Sequence, residues 1–303
     1  MQAQAVDGVG SAPSTARQSR LGRLVRLWPF LPIVFVLLFL FFLPLANMVV
    51  YSFWKTVNFQ IVSTWTLDNY ARFFANDTYV RTFLKTVLMA ILVTAAGIAA
   101  AGPFAYFLVR YVGRRWQRVI LIATIVPFWT SYLLRVYSWQ VILGEHGALN
   151  QFLMMLGIIR DPSPVFVYNN LGVFLVLLYV YFPFAALAIY ASIEKFDFDQ
   201  LRAAQDLGAR PDQAIRRILI PQIRPGLITA AIFVFIPILG EFLTPTLIGG
   251  AQSSLIANLV VNYLRQAQFP EGAALAIIIA AFVTVVMVVF RKSFRVEDVV
   301  TRG

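Results

Sequence analysis

"LRAAQDLGARPDQAIRRILIP", residues 201–221, lies between two long apolar runs and carries Gly208, Pro211 and Pro221. Over 194–224 there are six basic and five acidic residues, so the stretch is nearly neutral and charge attraction alone does not explain it. Asp199 suits the N-cap of a helix beginning at Gln200, because a short carboxylate accepts from the free amides of a first turn. Leu201, Ala204 and Leu207 recur at helical spacing, and Ala203 with Leu207 forms an i, i+4 pair. Gly208 can take the left-handed backbone that ends a helix, and Pro211 fits the first turn of the next one. Ala214, Ile215, Ile218 and Leu219 then line one face of a second helix, which Pro221 is expected to stop; Pro225 opens the run that follows. The stretch therefore reads as helix, glycine elbow, helix. Such a hairpin either caps a helical bundle or presents a docking surface, where small Ala203 and Ala204 admit a close approach.

The rest of the chain says what kind of bundle this is. Of 303 residues, 60% are hydrophobic and only 13% charged, whereas a soluble domain is about half apolar and a quarter charged. The excess falls into blocks at 28–53, 80–109, 117–143, 171–193, 227–249 and 273–290. Blocks of this length span a bilayer as helices, and backbone amides in lipid must be paired within the segment. The runs do not alternate as barrel strands do. The expected class is an all-α membrane protein with six transmembrane helices. The first run is too long for the core of a signal peptide and is read as a retained span. Residues 1–27 are rich in Ser, Ala, Gln and Arg without apolar period and read as a mobile tail. Its end, with Leu21, Leu24 and Leu27 among arginines, is suited to lie on an anionic membrane surface. The membrane domain is placed at 28–291, with 194–224 as its large cytoplasmic loop, and a C-terminal tail at 292–303.

The net charge of +11 does not call for nucleic acid, because basic residues collect in the cytoplasmic loops of membrane proteins. One set of segments holds Arg17, Arg20, Arg23 and Arg26, then Arg110, Arg114, Arg115 and Arg118, then the basic residues of 194–224, and finally Arg291, Lys292, Arg295 and Arg302. The opposite loops hold Lys55, Arg72, Arg160 and Arg265, with Arg81 and Lys85 at a span's edge. This bias places both termini and the elbow in the cytoplasm. There is no cysteine, so disulfide and thiolate chemistry are excluded. "TAAGIAAAG" (94–102) is a small-residue face that serves either as a subunit interface or as packing within the chain.

The elbow has a familiar form. "RAAQDLGARPDQAIRRILIPQIRPG" resembles the EAA loop of ABC importer permeases: Glu-Ala-Ala, three residues, Gly, and Leu-Pro about a dozen positions on. Ala203, Ala204, Gly208 and Pro221 match; Arg202 stands where the family usually has Glu, and Ile220 where it often has Leu. "PFWTSYLLRVYSWQVILGEHGALN" (127–150) and "LGEFLTPTLIGG" (239–250) are similar to the permeases of spermidine/putrescine importers. The resemblance implies an ABC type I importer permease fold in a bacterial inner membrane, with the loop as a coupling helix in a cleft of a separate ATPase. Ala203, Ala204 and Gly208 would face that ATPase, with Arg202, Pro221 and the polar Asp206 and Arg210 beside them. The implied partners are a dimeric ABC ATPase, a second permease and a periplasmic substrate-binding protein. The implied cargo is a polyamine or a related small solute; relatives of this subfamily also move opines and aminophosphonates.

Arg135 and Glu241 are read as the two charges deep in apolar runs. A charge at mid-membrane costs about 2.5–3.5 kcal/mol on insertion scales, so it faces a bundle interior or a water path. Pro237 and Pro245 flank Glu241 and loosen its helix. A polyamine needs carboxylates for its amines and aromatic faces for its methylenes. Glu241 supplies the first, and Trp129, Tyr132, Tyr137 and Trp139 are candidates for the second. Two plainer readings stand beside this one: Glu241 and Arg135 bridge each other, and the aromatics are packing or interface belts. No phosphate-cradling G-x-x-x-x-G-K-[ST] stretch is present, and the single histidine, His146, has no companion for a metal site or triad. The chain is expected to be no enzyme and to bind no cofactor, ATP and Mg belonging to the partner ATPase. The alternative, a gradient-driven secondary transporter or channel, would show an internal repeat and have no use for the elbow.

Overall fold

The computed structural model describes residues 31–163 and 166–290. The tail 1–27, its surface-lying end at Leu21, Leu24 and Leu27, and the tail 292–303 lie outside the described residues. The chain divides into two units, Met1–Val50 and Tyr51–Gly303. Residues 31–50 of helix α1 (Leu31–Ser52) make up the described part of the first, and its last two residues belong to the second. Its side chains are apolar on every face, with Phe35, Leu40 and Phe41 all exposed, as befits a helix solvated by hydrocarbon.

The second unit opens with a two-stranded ribbon that an all-helical reading of the sequence passes over. Strands β1 (Lys55–Val57) and β2 (Gln60–Val62) pair antiparallel around Asn58 and Phe59, both with positive φ. So short a hairpin is marginal alone, and it is tied down from three sides. Lys55 pairs with Asp68 at the start of α2 (Asp68–Ala75), and Asn69 donates to the carbonyls of Ser52 and Trp54. Glu271, buried in the first turn of α12 (Phe269–Phe290), accepts from the Thr56 hydroxyl at 2.8 Å and the Thr56 amide at 3.4 Å. Glu271 is thus a further buried acid beside Glu241.

Between them run α3 (Asp77–Tyr111), α4 (Arg114–Ile125), a 3₁₀ turn (Val126–Trp129), α5 (Tyr132–Leu143), α6 (Ala148–Met155) and α7 (Asn170–Ile193). Then come α8 (Asp199–Asp206), α9 (Pro211–Gln222), α10 (Arg224–Leu239), a π-turn (Pro245–Gly249) and α11 (Ile256–Arg265). Among the described residues, four helices are long and apolar enough to cross a membrane singly: α3, α7, α12 and Phe35–Ser52 of α1. Two bent pairs raise the number to six if each is one span: Arg114–Trp129 with Tyr132–Met155, bent by 97°, and Pro211–Gln222 with Arg224–Leu239, bent by 69°. The run expected at 117–143 is thus broken by a sharp turn, and the run expected at 227–249, which Pro237 and Pro245 were read as loosening, is interrupted after Leu239. Pro127 removes an amide and crowds the preceding turn, and the chain turns at Thr130, whose hydroxyl donates to the Pro127 carbonyl at 2.6 Å. The fifth run stops being α-helical at Leu239, beyond Pro237, and resumes as the π-turn.

Helix α7 packs against both α3 and α10, which also pack against each other. Val93, Ala101 and Leu108 of α3, Leu177, Ala185 and Ile189 of α7, and Ala230, Val234 and Ile238 of α10 are all buried in one core. Lipid offers no hydrophobic drive between helices, so close packing of small residues must hold them. Gly226 shows how close: a Cβ there would stand 2.3 Å from Ser192 Cβ on α7. The 94–102 face is split. Thr94, Gly97 and Ala101 are buried within the chain, with Leu178 filling the space over Gly97, whereas Ala99 and Ala100 look outward.

Candidate functional site

The elbow forms as helix, glycine turn, helix, with three local corrections. The first-turn amide of α8 donates to Asp197 Oδ1 at 3.0 Å, so Asp197 takes the capping part expected of Asp199, whose carboxylate instead holds Arg202 at 2.9 Å. The C-terminus closes through paired bonds, Gly208 N to Gln205 O at 2.9 Å and Ala209 N to Ala204 O at 3.0 Å, with Gly208 at φ +89°. This pairing needs a left-handed residue at 208. Pro221 does not stop α9: the helix widens into a π-turn at Ile215–Leu219, with Ile220 N donating to Ile215 O, and runs on to Gln222. A π-turn slips the hydrogen-bond register just ahead of a residue that has no amide to donate.

Leu201, Ala214, Leu219 and Ile223 are buried beneath the elbow, and Gln222 donates to Gln200 at 2.5 Å across its open end. Arg110, in the last turn of α3, lies 5.5 Å from the Phe198 ring centre and fixes the approach to α8. The outer surface holds Arg202, Ala203, Asp206, Leu207, Gly208, Arg210 and Pro221, all exposed, with Ala204 half-buried. Leu207 is 90% exposed. It was expected to share a helical face with buried Leu201; it follows the last residue of α8, and the turn at Gly208 leaves it pointing outward.

Glu241 sits where α10 has ended and the π-turn has not begun, and it is 93% buried (7% exposed). Oε1 accepts from the amides of Leu243 at 2.9 Å and Thr244 at 3.1 Å, the free donors of the next turn. Oε2 accepts from the Tyr132 hydroxyl at 2.6 Å and the Tyr181 hydroxyl at 3.3 Å. The Tyr132 hydroxyl also meets Thr244 Oγ1 at 2.8 Å. A carboxylate has about four acceptor positions, and all are taken. Glu241 thereby joins three elements: the first residue of α5, the middle of α7 and the break after α10. The expected alternative, a bridge to Arg135, is absent: the ion pairs among the described residues are Lys55–Asp68, Arg81–Asp77 and Arg202–Asp199.

The profile described as "Binding-protein-dependent transport system inner membrane component" matches residues 94–296. The chain belongs to this family. It is 36% identical over 231 residues to the spermidine/putrescine transport system permease protein PotB of Escherichia coli (strain K12), covering 76% of this chain and 83% of that one. It is 31% identical over 229 residues to the PotB of Haemophilus influenzae, covering 75% and 79%. A third relative, the inner membrane ABC transporter permease protein YdcU of Escherichia coli (strain K12), is 34% identical over 189 residues, covering 59% and 60%. Among solved structures, a bacterial ABC transporter involved in the import of the acidic polysaccharide alginate superposes with TM-score 0.71 at 16% identity, over 92% of this chain and 98% of that one. The bacterial alginate transporter in complex with an alginate pentasaccharide-bound periplasmic protein gives 0.68 at 16%, over 90% and 98%. At that identity the likeness concerns the fold, which is that of an ABC importer permease. This is an inner-membrane, multi-pass transport component.

Within the permease, the residues expected along a pathway do not converge on one point. Tyr132 reaches Glu241. Trp139 packs against Tyr179 with the rings tilted by 58° and 5.1 Å between their centres and, with Arg135, lines a cavity of about 460 Å³. Trp129 and Tyr137 are exposed on other faces of the bent third span. The Arg135 guanidinium lies 4.6 Å from the Phe128 ring centre and 5.6 Å from that of Tyr132. His146 is exposed in the turn before α6, its carbonyl accepting from Gln151. Tyr181, Thr244 and Phe128 were missed. Nothing local distinguishes Tyr181 within the apolar run of α7; Thr244 follows Glu241 by three residues, which is capping distance and a usable signal.

Proposed function

We propose that this permease carries spermidine, putrescine or a closely related small cation inward as part of an ATP-driven importer. The observation that carries the substrate class is the 36% identity to PotB over most of both chains. The mechanical part rests on the elbow: a stiff hairpin with Arg202, Ala203, Ala204, Asp206, Gly208, Arg210 and Pro221 around a bare leucine offers a socketed partner a grip and no chemistry of its own. In this reading a dimeric ABC ATPase, which binds ATP and Mg, holds the elbow. A second permease and a periplasmic binding protein complete the importer. Residues 28–291 form the permease domain, with the loop 194–224 and the tails 1–27 and 292–303 in the cytoplasm, as the arginine bias favours.

The cargo would pass Trp129, Tyr132, Arg135, Tyr137, Trp139 and Glu241 in the course of alternating access. In the described arrangement an arriving ammonium has no vacant oxygen on Glu241 and must displace the tyrosine hydroxyls. Glu241 then acts as a gate whose release coincides with cargo arrival. The test is ATP hydrolysis in proteoliposomes containing the whole importer. Binding protein loaded with spermidine or putrescine should raise turnover above that with empty binding protein. No stimulation by any polyamine at saturating concentration would refute the substrate class.

A further inference from the structure

We infer that the cavity beside Arg135 is completed by a carboxylate borne on a membrane-spanning helix of a second permease chain; this rests on the reading that the permease works as one of a pair. Arg135 is the fourth residue of α5, stacked over Phe128 and Tyr132. Its Nε is buried and has no hydrogen-bond acceptor, and among the described residues Arg135 makes no ion pair. A guanidinium stays charged and carries five donors, so in an apolar surround it needs an anion. Among the described residues no carboxylate supplies one. Glu241, beyond Tyr132, has its acceptors occupied. The Thr124 hydroxyl in the cavity wall turns back to the Ile120 carbonyl at 2.8 Å.

The position of the cavity selects among anions. Its wall on α7 runs from Leu175 to Pro183. At 1.5 Å per residue that lies about 7 Å or more inside one end of α7 and about 15 Å inside the other. A lipid phosphate stays at the ends of a span. A cationic cargo passing Arg135 cannot neutralise it, and a dissolved anion would have to shed its water to arrive. A carboxylate carried on a neighbouring helix comes already at depth. The cavity is open on one side, and its lining includes Ala100 of α3 and Ala123 of α4, both small and exposed. Small side chains of that kind let a second helix approach.

The test uses the importer purified whole through a tag on this permease, reading the amount of second permease recovered. Recovery of none with the unaltered chain would overturn the pair itself, apart from this contact. Given recovery, Arg135→Gln should lower it by about tenfold or more, the scale for stranding one partner of a buried charge pair, and Arg135→Lys should retain most of it. A membrane-permeant carbodiimide should then join Lys to a carboxylate and link the two permeases in the Arg135→Lys complex, with no such link in the unaltered one. The lysine arm decides the matter if Arg135→Gln fails to accumulate. Undiminished recovery with Arg135→Gln, a carbodiimide link within this chain, or a loss of co-purifying phospholipid with the second permease retained would overturn the inference.

Discussion

Replacing Gly208 by alanine tests the elbow most sharply, because the structure separates its two possible effects. The position has φ +89°, where an L-residue costs about 1–2 kcal/mol. Alanine also loses less freedom on folding than glycine, which offsets about 0.4–1 kcal/mol. A Cβ at 208 meets nothing within 4 Å, so no clash adds to this. The net is about 1 kcal/mol, a factor of about five in the population of the closed turn. Amide exchange at residues 208 and 209, whose bonds to Gln205 and Ala204 close α8, should accelerate by about that factor, with α7 unchanged. Gly208→Asn should show less than half the effect, since asparagine tolerates left-handed backbone. Unchanged exchange, or acceleration spreading into α7, would refute the capping argument. Gly208→Trp then isolates the partner. Position 208 is exposed and a Cβ there meets nothing within 4 Å in this chain, so loss of the co-purifying ATPase with intact exchange elsewhere would come from a socket outside it.

Leu207→Asp should leave the permease's thermal stability within about 0.5 kcal/mol, because the side chain is 90% exposed, yet strip the ATPase from the purified complex; an intact complex would remove Leu207 from the docking surface. Glu241→Gln should cut uptake of a dicationic solute while assembly persists, and unchanged uptake would take Glu241 off the path. Tyr132→Phe removes one charge-assisted bond, so the break after α10 should loosen by about 1.5–3 kcal/mol, read as faster amide exchange at Leu243 and Thr244. Glu271→Ala strands the Thr56 amide and hydroxyl, so limited proteolysis should cut at 55–62 in the variant and spare the parent. Lys55 beside Asp68 holds that carboxyl below its ordinary value of 3.8. Stability from a lowered carboxyl is present above the unfolded value and lost as pH falls through the folded one, so proteolysis of the hairpin should be flat over about pH 5 to 8.

What was legible in the sequence was what depends on local pattern. Helices α3, α7 and α12 follow from unbroken apolar runs, and the elbow from Gly208 and Pro211 at spacings that leave the backbone few options. Where several local signals competed, the reading erred by a few positions. Asp197 and Asp199 both offer a capping carboxylate, and which one reaches the amide depends on how Phe198 packs under Arg110. Pro127 was in plain view, but a proline in an apolar run is compatible with a mild kink as well as a 97° turn. The Glu241 cluster was half legible. Its acid stands out by charge, whereas Tyr181 is sixty residues away and meets it only because α7 crosses the break after α10. The same holds for Glu271, whose partner Thr56 is 215 positions distant.

The placement of the two breaks has a mechanical consequence. Helix α10 begins directly after the bend that ends α9 and runs without interruption to Leu239. Its 16 residues make a rod of about 24 Å between the elbow and Glu241. If force enters at the elbow, as proposed, the rod delivers it where the helix has lost its continuous hydrogen bonding and where the Glu241 carboxylate holds Tyr132 of α5. Both partners in that bond sit next to a break, so each can shift without unwinding a full span. Tyr181, by contrast, is buried in the middle of unbroken α7 and provides the fixed side of the contact. An unbroken fifth span would carry Glu241 rigidly with the rod. On the proposed reading, the break makes separation of Glu241 from Tyr132 a two-state event for cargo and motor each to bias, which is what coupling between distant sites requires.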